Sequence, residues 1–253
     1  MIDSGDLSNL GKSAVLDGDA LVVALTRRFR TSIEDATIDA RTFSILKPAN
    51  PDDLIREEDF VMDERLPYWA DVWPSSIILA EKLIELTGTG RTALELGCGV
   101  GLSTLAATSA GFDVLSTDYY VDALDVTRAN VFRNLGTTAR TRMVDWRHFP
   151  EDLGTFDLVF ASDVLYEKEY AELLPVLLLR LLTPEGIALI ADPGRVAAPI
   201  FVEACGIHGL EIRKKETRPF EAGEIKQKID IYEIARRISR RASCPTGGAS
   251  GRA

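Results

Sequence analysis

From about residue 75 to residue 208, short apolar segments alternate with segments whose apolar residues recur at helical spacing. This alternation constrains the fold strongly, because right-handed crossovers between successive strands build a parallel sheet with helices on both faces. We predict strands at TALEL, Phe112–Thr117, Thr141–Val144, Phe156–Ser162 and Gly186–Ala191. We predict helices from Ser75 or Ser76 to Leu86, and at Leu102–Ala110, Val121–Leu135, Tyr170–Leu182 and Ala197–His208.

Two further strand-like runs, LEIRKKETR and IDIYEIA, follow the last of these helices and are joined by a polar loop through Gly223. Because no helix separates them, they predict a hairpin whose final strand enters the sheet antiparallel. The predicted fold class is therefore α/β, with a doubly wound, mostly parallel seven-stranded sheet and an antiparallel last strand.

The two ends of the chain differ from this pattern. In the first 60 residues, ALVVALTRRF fits a helix or a strand, and TIDARTFSIL alternates like an edge strand. The last residues, RRISRRASCPTGGASGRA, are rich in small and basic residues and poor in apolar ones, which is typical of disorder. We predict an N-terminal extension over 1–60, a main domain over 61–235 and a disordered basic tail over 236–253.

Charge and composition exclude several classes of protein. The net charge is −10, and residues 235–253 contain five Arg and no acidic residue, so the rest of the chain has 24 basic and 39 acidic residues. This negative charge disfavours nucleic acid as a partner and favours a cationic partner. Three scattered cysteines and two histidines predict no disulfide framework and no zinc site, and they fit a reducing cytoplasm. No apolar run approaches the roughly 20 residues of a membrane span, and the N-terminus does not resemble an export signal.

The sharpest motif is ALELGCGVGLS, residues 93–103, at a predicted strand-to-helix turn. Gly97, Gly99 and Gly101 leave the backbone bare where a ligand must lie against it, and Cys98 sits within the same loop. The spacing departs from the G-x-G-x-x-G of dinucleotide folds, which favours S-adenosylmethionine, a cofactor without a phosphate to hold. Glu95, just before the loop, adds a carboxylate for the cofactor's ammonium end.

Two later strand ends extend this cofactor site. Asp118 stands at the end of the second strand, where a carboxylate accepts hydrogen bonds from both ribose hydroxyls, and Tyr119 follows it. Asp145 and Trp146 follow the third strand and suit the edge and the face of an adenine ring.

These residues resemble the seven-strand S-adenosylmethionine-dependent methyltransferases, which have a Rossmann-like fold. PYWADVWPSS, ASDVLYE and IADPGR are similar, more narrowly, to segments of a group of protein-lysine methyltransferases that includes the enzyme acting on the β-subunit of electron-transfer flavoprotein. The resemblance covers about residues 60 to 235. It implies that Trp73 and Ser162 line the cofactor pocket together with the glycine loop, Asp118 and Trp146.

Asp163 and Tyr166 form a D-x-x-Y pair just past the fourth strand, at the sheet edge where α/β folds bind ligands. We predict that Asp163 holds the incoming amine and is available to accept its proton, and that Tyr166 forms an aromatic wall. The alternative is that Asp163 caps the next helix and Tyr166 packs on that helix. SDVLY lacks the paired prolines typical of enzymes that methylate planar amides or nucleobase amines, so those substrates are disfavoured.

The sequence therefore predicts an S-adenosylmethionine-dependent N-methyltransferase that modifies lysine in a protein, with Asp163 and Tyr166 as its catalytic residues. Two alternatives stay open at this point: a methyltransferase for small amines, and a cofactor-binding scaffold without turnover. The predicted partner is a protein with an accessible lysine or a small amine, without nucleic acid, membrane or metal.

Overall fold

The structure, a computed structural model, describes residues 18–54 and 67–237, and its centre is a seven-stranded sheet. A separate two-stranded hairpin comes earlier in the chain and takes the first two strand numbers. The strands are β1 (Thr31–Ile38), β2 (Arg41–Pro48), β3 (Thr92–Leu96), β4 (Asp113–Asp118), β5 (Arg140–Met143), β6 (Phe156–Ser162), β7 (Leu182–Asp192), β8 (Leu210–Ala222) and β9 (Ile225–Arg236).

Helices connect most of these strands. They are α1 (Asp19–Arg28), α2 (Pro74–Ile84), α3 (Leu102–Ser109), α4 (Val121–Leu135), α5 (Lys168–Leu181) and α6 (Ala198–Ile207). Single 3-10 turns at Tyr68–Ala70 and Trp146–His148 lie beside the site described below.

The order of strands in the sheet is β5-β4-β3-β6-β7-β9-β8. The first five of these are mutually parallel, whereas β9 is antiparallel to both β7 and β8. The predicted fold class is thus confirmed. The chain runs outward from β3 to β5 and then returns to β6 on the other side of β3, so a topological switch point lies at the carboxyl ends of β3 and β6. Open α/β sheets bind ligands at such a crevice.

Each face of the sheet carries its own apolar core. On one face, Ala93 of β3 and Phe160 of β6 pack with α2, α3 and α4. On the other face, Leu94 of β3 and Val159 of β6 pack with α5 and α6. Because side chains alternate between faces along a strand, both sides of these short strands are apolar, as a sheet covered by helices requires.

The N-terminal hairpin docks on α4 through two asparagine side chains. The buried Asn130 amide accepts from the Leu46 N–H and donates to the Leu46 carbonyl, both at 2.8 Å. Asn134, one turn later, makes the same pair of bonds with Ser44. These amides pair with backbone groups of β2 that β1 leaves free. Of the two states open to ALVVALTRRF, the structure shows a helix, which ends at Arg28. TIDARTFSIL spans the β1–β2 turn, so it forms a separate hairpin and not an edge strand of the main sheet.

Most predicted elements are present with small shifts at their ends. TALEL, Val121–Leu135 and Phe156–Ser162 have the predicted bounds. The predicted cap at Ser75 or Ser76 is wrong: Trp73 is the N-cap residue and Pro74 opens α2, because proline's fixed φ suits the first helical position. β7 starts at Leu182, four residues before the prediction, and follows α5 directly.

Of the predicted tail 236–253, only residues 236 and 237 belong to the described part of the chain. Residues 1–17 and 55–60 of the predicted extension also lie outside the described residues. Within the described ranges, no helix combines the length and the apolar character needed to cross a bilayer.

Candidate functional site

A cavity of about 460 Å³ opens at the switch point, beside the carboxyl ends of β3, β4 and β6. Eleven of the thirteen residues predicted for the site line it. They are Trp73, Gly97, Cys98, Gly99, Asp118, Tyr119, Asp145, Trp146, Ser162, Asp163 and Tyr166. The residues predicted to bind a cofactor and those predicted to bind an acceptor amine therefore line one cavity in the structure.

The glycine loop is held by β4. The N–H groups of Gly97 and Cys98 both donate to the Thr117 carbonyl at 2.9 Å, and the Gly99 N–H donates to the Asp118 carboxylate at 3.0 Å. A Cβ on Gly99 would lie 3.1 Å from the Trp69 carbonyl oxygen, with φ at +53°. The Trp69 backbone thus occupies the space that a side chain at position 99 would need, and the hydrogen bonds to Thr117 and Asp118 fix the course of the loop along the cavity.

Glu95 and Gly101 are the two predicted residues that do not line the cavity. The Glu95 side chain is buried and hydrogen-bonded to the Thr104 hydroxyl, and this burial raises the pKa of its carboxyl well above the ordinary value. Gly101 has φ +85° and caps α3, and a Cβ there would lie 2.8 Å from the Thr127 hydroxyl of α4. The structure places Glu95 beneath the loop in the core and gives Gly101 a packing position between α3 and α4.

Asp118 occupies the predicted position at the end of β4. Its two oxygens accept from the Gly99 and Tyr120 N–H groups, both at 3.0 Å. Burial raises the pKa of this carboxyl, although the backbone hydrogen bonds act in the opposite direction. A carboxylate has about four acceptor positions, so the side chain keeps capacity for ligand hydroxyls. Tyr119 beside it is exposed and packs edge-on against Tyr120.

Asp145 and Trp146 follow β5, the strand that neighbours β4, and both line the cavity. Partial burial raises the pKa of Asp145, but hydrogen bonds from Arg147 and His148 outweigh it and lower the pKa to about 2. The carboxylate is therefore an anion already engaged by its neighbours. Trp146 contacts Tyr170 edge-on, with ring centroids 5.4 Å apart.

Asp163 is held on both of its oxygens. One oxygen accepts from Arg195 Nε at 2.7 Å and lies 2.5 Å from Arg195 Nη2, while the other accepts from the Ser75 hydroxyl at 2.8 Å. The backbone of Asp163 is left-handed, with φ +58°. The alternative that Asp163 caps the next helix is wrong, because Glu167 is the N-cap residue of α5.

Four aromatic contacts run along one side of the cavity. Ring centroids are 6.2 Å apart for Trp73 and Tyr68, 5.9 Å for Tyr68 and Tyr166, and 5.7 Å for Tyr166 and Tyr170. The row ends at Trp146, and all five side chains line the cavity. We call these five residues the aromatic row. Tyr166 therefore contacts Tyr170 of α5 while still facing the cavity.

Among the described residues, no group of three or more His, Cys, Asp or Glu side chains is placed to hold a metal ion. The model of a lysine methyltransferase family matches residues 63–199. The chain belongs to this lysine methyltransferase family. The matched range contains every residue that lines the cavity.

Individual relatives agree with the family. The chain is 32% identical over 133 residues to the electron transfer flavoprotein beta subunit lysine methyltransferase of Danio rerio, covering 51% of each protein. It is 31% identical over 139 residues to EEF1A lysine methyltransferase 3 of Mus musculus, covering 52% of this chain and 58% of that one. The chain thus spans about half the length of the curated relatives it matches.

Among solved structures, the magnesium protoporphyrin IX methyltransferase of Synechocystis PCC 6803, determined with bound S-adenosylmethionine, superposes with a TM-score of 0.52. It is 18% identical and covers 64% of this chain and 78% of that one. This similarity supports the fold.

Three residues of this family member were missed as site residues by sequence reasoning. Ser75 and Arg195 both bond Asp163, and the hydroxyl of Ser103 is buried against the cavity without a hydrogen-bond partner. Ser103 carried a local signal, since it follows the glycine loop at the second position of α3. Ser75 and Arg195 carried none, because each meets Asp163 only through the tertiary fold.

Proposed function

We propose that this chain is an S-adenosylmethionine-dependent N-methyltransferase that methylates lysine side chains of a protein. One observation carries the proposal: the glycine loop and Asp118 line the same cavity as Asp163 and Tyr166. The residues predicted to bind the methyl donor and those predicted to bind the acceptor thus line the same cavity. Membership of the lysine methyltransferase family supports the reaction and the acceptor.

The residues present fit S-adenosylmethionine. A volume of about 460 Å³ suits a small-molecule pocket, for which roughly 300–1,000 Å³ is usual. Asp118 retains acceptor positions for ribose hydroxyls, and the aromatic ring of Trp146 provides a face for adenine. The unpartnered Ser103 hydroxyl is a polar atom that the amino acid end of the cofactor would satisfy. Gly99 lines the cavity with its backbone, while Trp69 packs where a Cβ would lie.

When bound here, S-adenosylmethionine supplies a methyl group on a positively charged sulfur, which an amine displaces in line. The chain contributes positioning, which is worth roughly 7–11 kcal/mol of barrier when two reactants are well oriented. Asp163 uses three of about four acceptor positions on Arg195 and Ser75, which leaves one for the acceptor amine. We therefore assign Asp163 to orientation of the amine rather than to removal of its proton.

The aromatic row suits a lysine side chain. Its rings present an apolar wall to the methylene stem and attract a cationic head, since ring faces are electronegative. The amine must be neutral to react, whereas the pKa of a free lysine is about 10.4. The ring faces alone would favour the ammonium form, so deprotonation depends on burial of the amine in the cavity and on the positive sulfur that S-adenosylmethionine would bring beside it, both of which lower a lysine pKa. The proton leaves to solvent through the open mouth of the cavity.

The proposed partner is a protein whose target lysine lies on a basic surface. Outside the C-terminal segment 235–253, the chain has 39 acidic residues and only 24 basic ones, and this excess of negative charge attracts a basic surface. The same excess of acid disfavours nucleic acid as a substrate. We place the reaction in the reducing cytoplasm, a proposal supported by two buried free thiols, Cys98 and Cys205.

The proposal is tested by incubating the purified protein with S-adenosylmethionine labelled on the methyl group and a lysate of cells that lack the gene. We expect labelled protein bands, with methyl-lysine as the labelled residue after hydrolysis. Label found only in dialysable products would show that the acceptor is a small amine. Tight cofactor binding without any transfer would show a scaffold.

A further inference from the structure

Arg195 contacts Asp163, the residue proposed to bind the acceptor amine. It follows the end of β7, and its Nε and Nη2 lie 2.7 Å and 2.5 Å from the same oxygen of Asp163. The Asp163 side chain is only 7% exposed, compared with 37% for Arg195. The guanidinium also lies 5.9 Å from the ring centroid of Trp73. Arg195 therefore stands at the cavity wall with its charge directed at a nearly buried carboxylate.

The loop that carries Arg195 is fixed by Asp192, the last residue of β7. Asp192 is fully buried, and one of its oxygens accepts from the N–H groups of Gly194 and Arg195, both at 2.8 Å. An aspartate that bonds the backbone two and three residues ahead sets the geometry of a turn. The direction in which Arg195 leaves the backbone is thus determined by a buried residue of the sheet.

Asp163 needs such support, because its backbone is left-handed, with φ +58°. Residues other than glycine keep this conformation only where their surroundings determine it. Its N–H donates to the Ala191 carbonyl at 2.9 Å, and Ser75 holds its second oxygen at 2.8 Å. Arg195 holds the first oxygen, so β7 fixes the backbone of Asp163, while Ser75 of α2 and Arg195 of the loop after β7 fix its carboxylate.

We infer that Arg195 is a positioning residue for methyl transfer: it acts through Asp163, whose carboxylate it holds at the angle that receives the acceptor amine. The inference rests on the proposed function and deepens it. It differs from a role in which Arg195 binds an acidic group of the substrate, because then its effect would not depend on Asp163. It differs also from a purely structural role for the loop.

A double-mutant cycle separates these roles. We measure initial rates of label transfer over a dilution series of lysate from cells lacking the gene, for the wild type, Arg195→Ala, Asp163→Asn and the double variant. We expect Arg195→Ala to lower apparent kcat at least tenfold in the wild-type background and less than twofold in the Asp163→Asn background. Arg195→Lys, which keeps the charge, should restore part of the rate. Arg213→Ala, an exposed arginine of β8, is the matched control and should be unchanged.

Equal losses in both backgrounds, or a wild-type rate for Arg195→Ala, would overturn the inference. Folding is checked by the affinity of each variant for S-adenosylhomocysteine, which should stay within twofold of the wild type. A crystal structure of Arg195→Ala gives a readout without turnover: the Asp163 carboxylate should leave hydrogen-bond distance of Ser75, and an unmoved Asp163 would contradict us. If the wild type methylates nothing, the proposed function fails, while this structural comparison still decides the role of Arg195.

Discussion

At the scale of single residues, Asp163 is the side chain on which acceptor binding depends most. We predict that Asp163→Asn lowers kcat/KM by about 10- to 100-fold, because a hydrogen bond to a charged group is worth about 1.5–3 kcal/mol. Asparagine also tolerates the left-handed backbone of this position, so the loss reports on charge rather than on folding. Label transfer to lysate protein measures the effect. A rate equal to the wild type would remove Asp163 from the reaction.

Asp118 provides the corresponding test on the cofactor side. We predict that Asp118→Asn weakens S-adenosylhomocysteine binding at least about tenfold, since it removes an anion that accepts from ribose hydroxyls and from Gly99. Isothermal titration calorimetry measures the dissociation constant. Asp113→Asn is the matched control, because Asp113 lies on the same strand at its exposed far end. Equal affinities for both variants would refute the assignment of Asp118.

The sequence predicts those site residues that directly follow a predicted strand, and it misses those that reach the site only through the tertiary fold. Asp118, Asp163 and Tyr166 follow predicted strands directly, so the parallel topology alone brings them to one sheet edge. Arg195 stands 32 positions from Asp163, and nothing local indicates that the turn at Asp192 would direct it there. Glu95 lies on a strand whose two faces are both covered by helices, so its carboxylate is buried beside Thr104 and does not line the cavity; a role toward the cofactor stays a prediction.

At the scale of elements, the N-terminal hairpin is joined to the domain by the amides of α4. We predict that Asn130→Ala lowers the free energy of unfolding by about 3 kcal/mol, because it leaves buried Leu46 and Val100 backbone groups unpaired. Asn134→Ala, which removes a similar but partly exposed pair of bonds to Ser44, should cost less. Urea denaturation with an unchanged m-value measures both. Equal losses of unfolding free energy for the two variants would contradict the claim that burial makes the Asn130 hydrogen bonds more costly to lose.

An ion-pair cluster around Glu216 joins the β8–β9 hairpin to α2: Lys82 Nζ lies 3.7 Å from the Glu216 carboxylate, and Arg218 Nη1 lies 3.6 Å from the Glu81 carboxylate. Hydrogen bonds from Arg218 and Lys214 lower the pKa of Glu216 from 4.5 to about 2. A folded-state pKa below the unfolded value adds stability above the unfolded value, and this stability is lost as pH falls from about 4.5 to about 2.

We therefore predict that Glu216→Gln lowers the free energy of unfolding at pH 7 by at most about 1 kcal/mol, since the cluster is partly solvated. The difference from the wild type should shrink steadily below about pH 4.5, and unfolding curves at several pH values measure it. Glu221→Gln, at the exposed end of β8, is the control and should show no such trend. A difference that grows in acid would contradict the sign.

The elements that the sequence predicted best are those whose ends carry their own signals. Val121–Leu135 ends at Gly136, which adopts the left-handed C-cap conformation, and its bounds are as predicted. The N-terminal segment was ambiguous because its hairpin pairs with α4 side chains rather than with the main sheet, a contact that no periodicity shows. The start of α2 was misplaced because two serines competed with Pro74 as the helix signal.

At the scale of the whole molecule, the doubly wound topology produces the proposed function. The switch between β3 and β6 opens one crevice, and the loops at its rim carry the glycine turn on one side and Asp163 on the other. The aromatic row lines this crevice as well, from Trp73 before α2 to Trp146 after β5. The boundaries of the three predicted parts, 1–60, 61–235 and 236–253, stay a prediction that truncation with a stability measurement would test.

The most direct measurement is a crystal structure of this protein with S-adenosylhomocysteine. The account predicts that the ribose hydroxyls bond the Asp118 carboxylate, that the ligand passes over Gly99, and that its sulfur faces Asp163 and Tyr166. A ligand bound elsewhere, or a cavity filled by the protein's own side chains at saturating ligand, would contradict it.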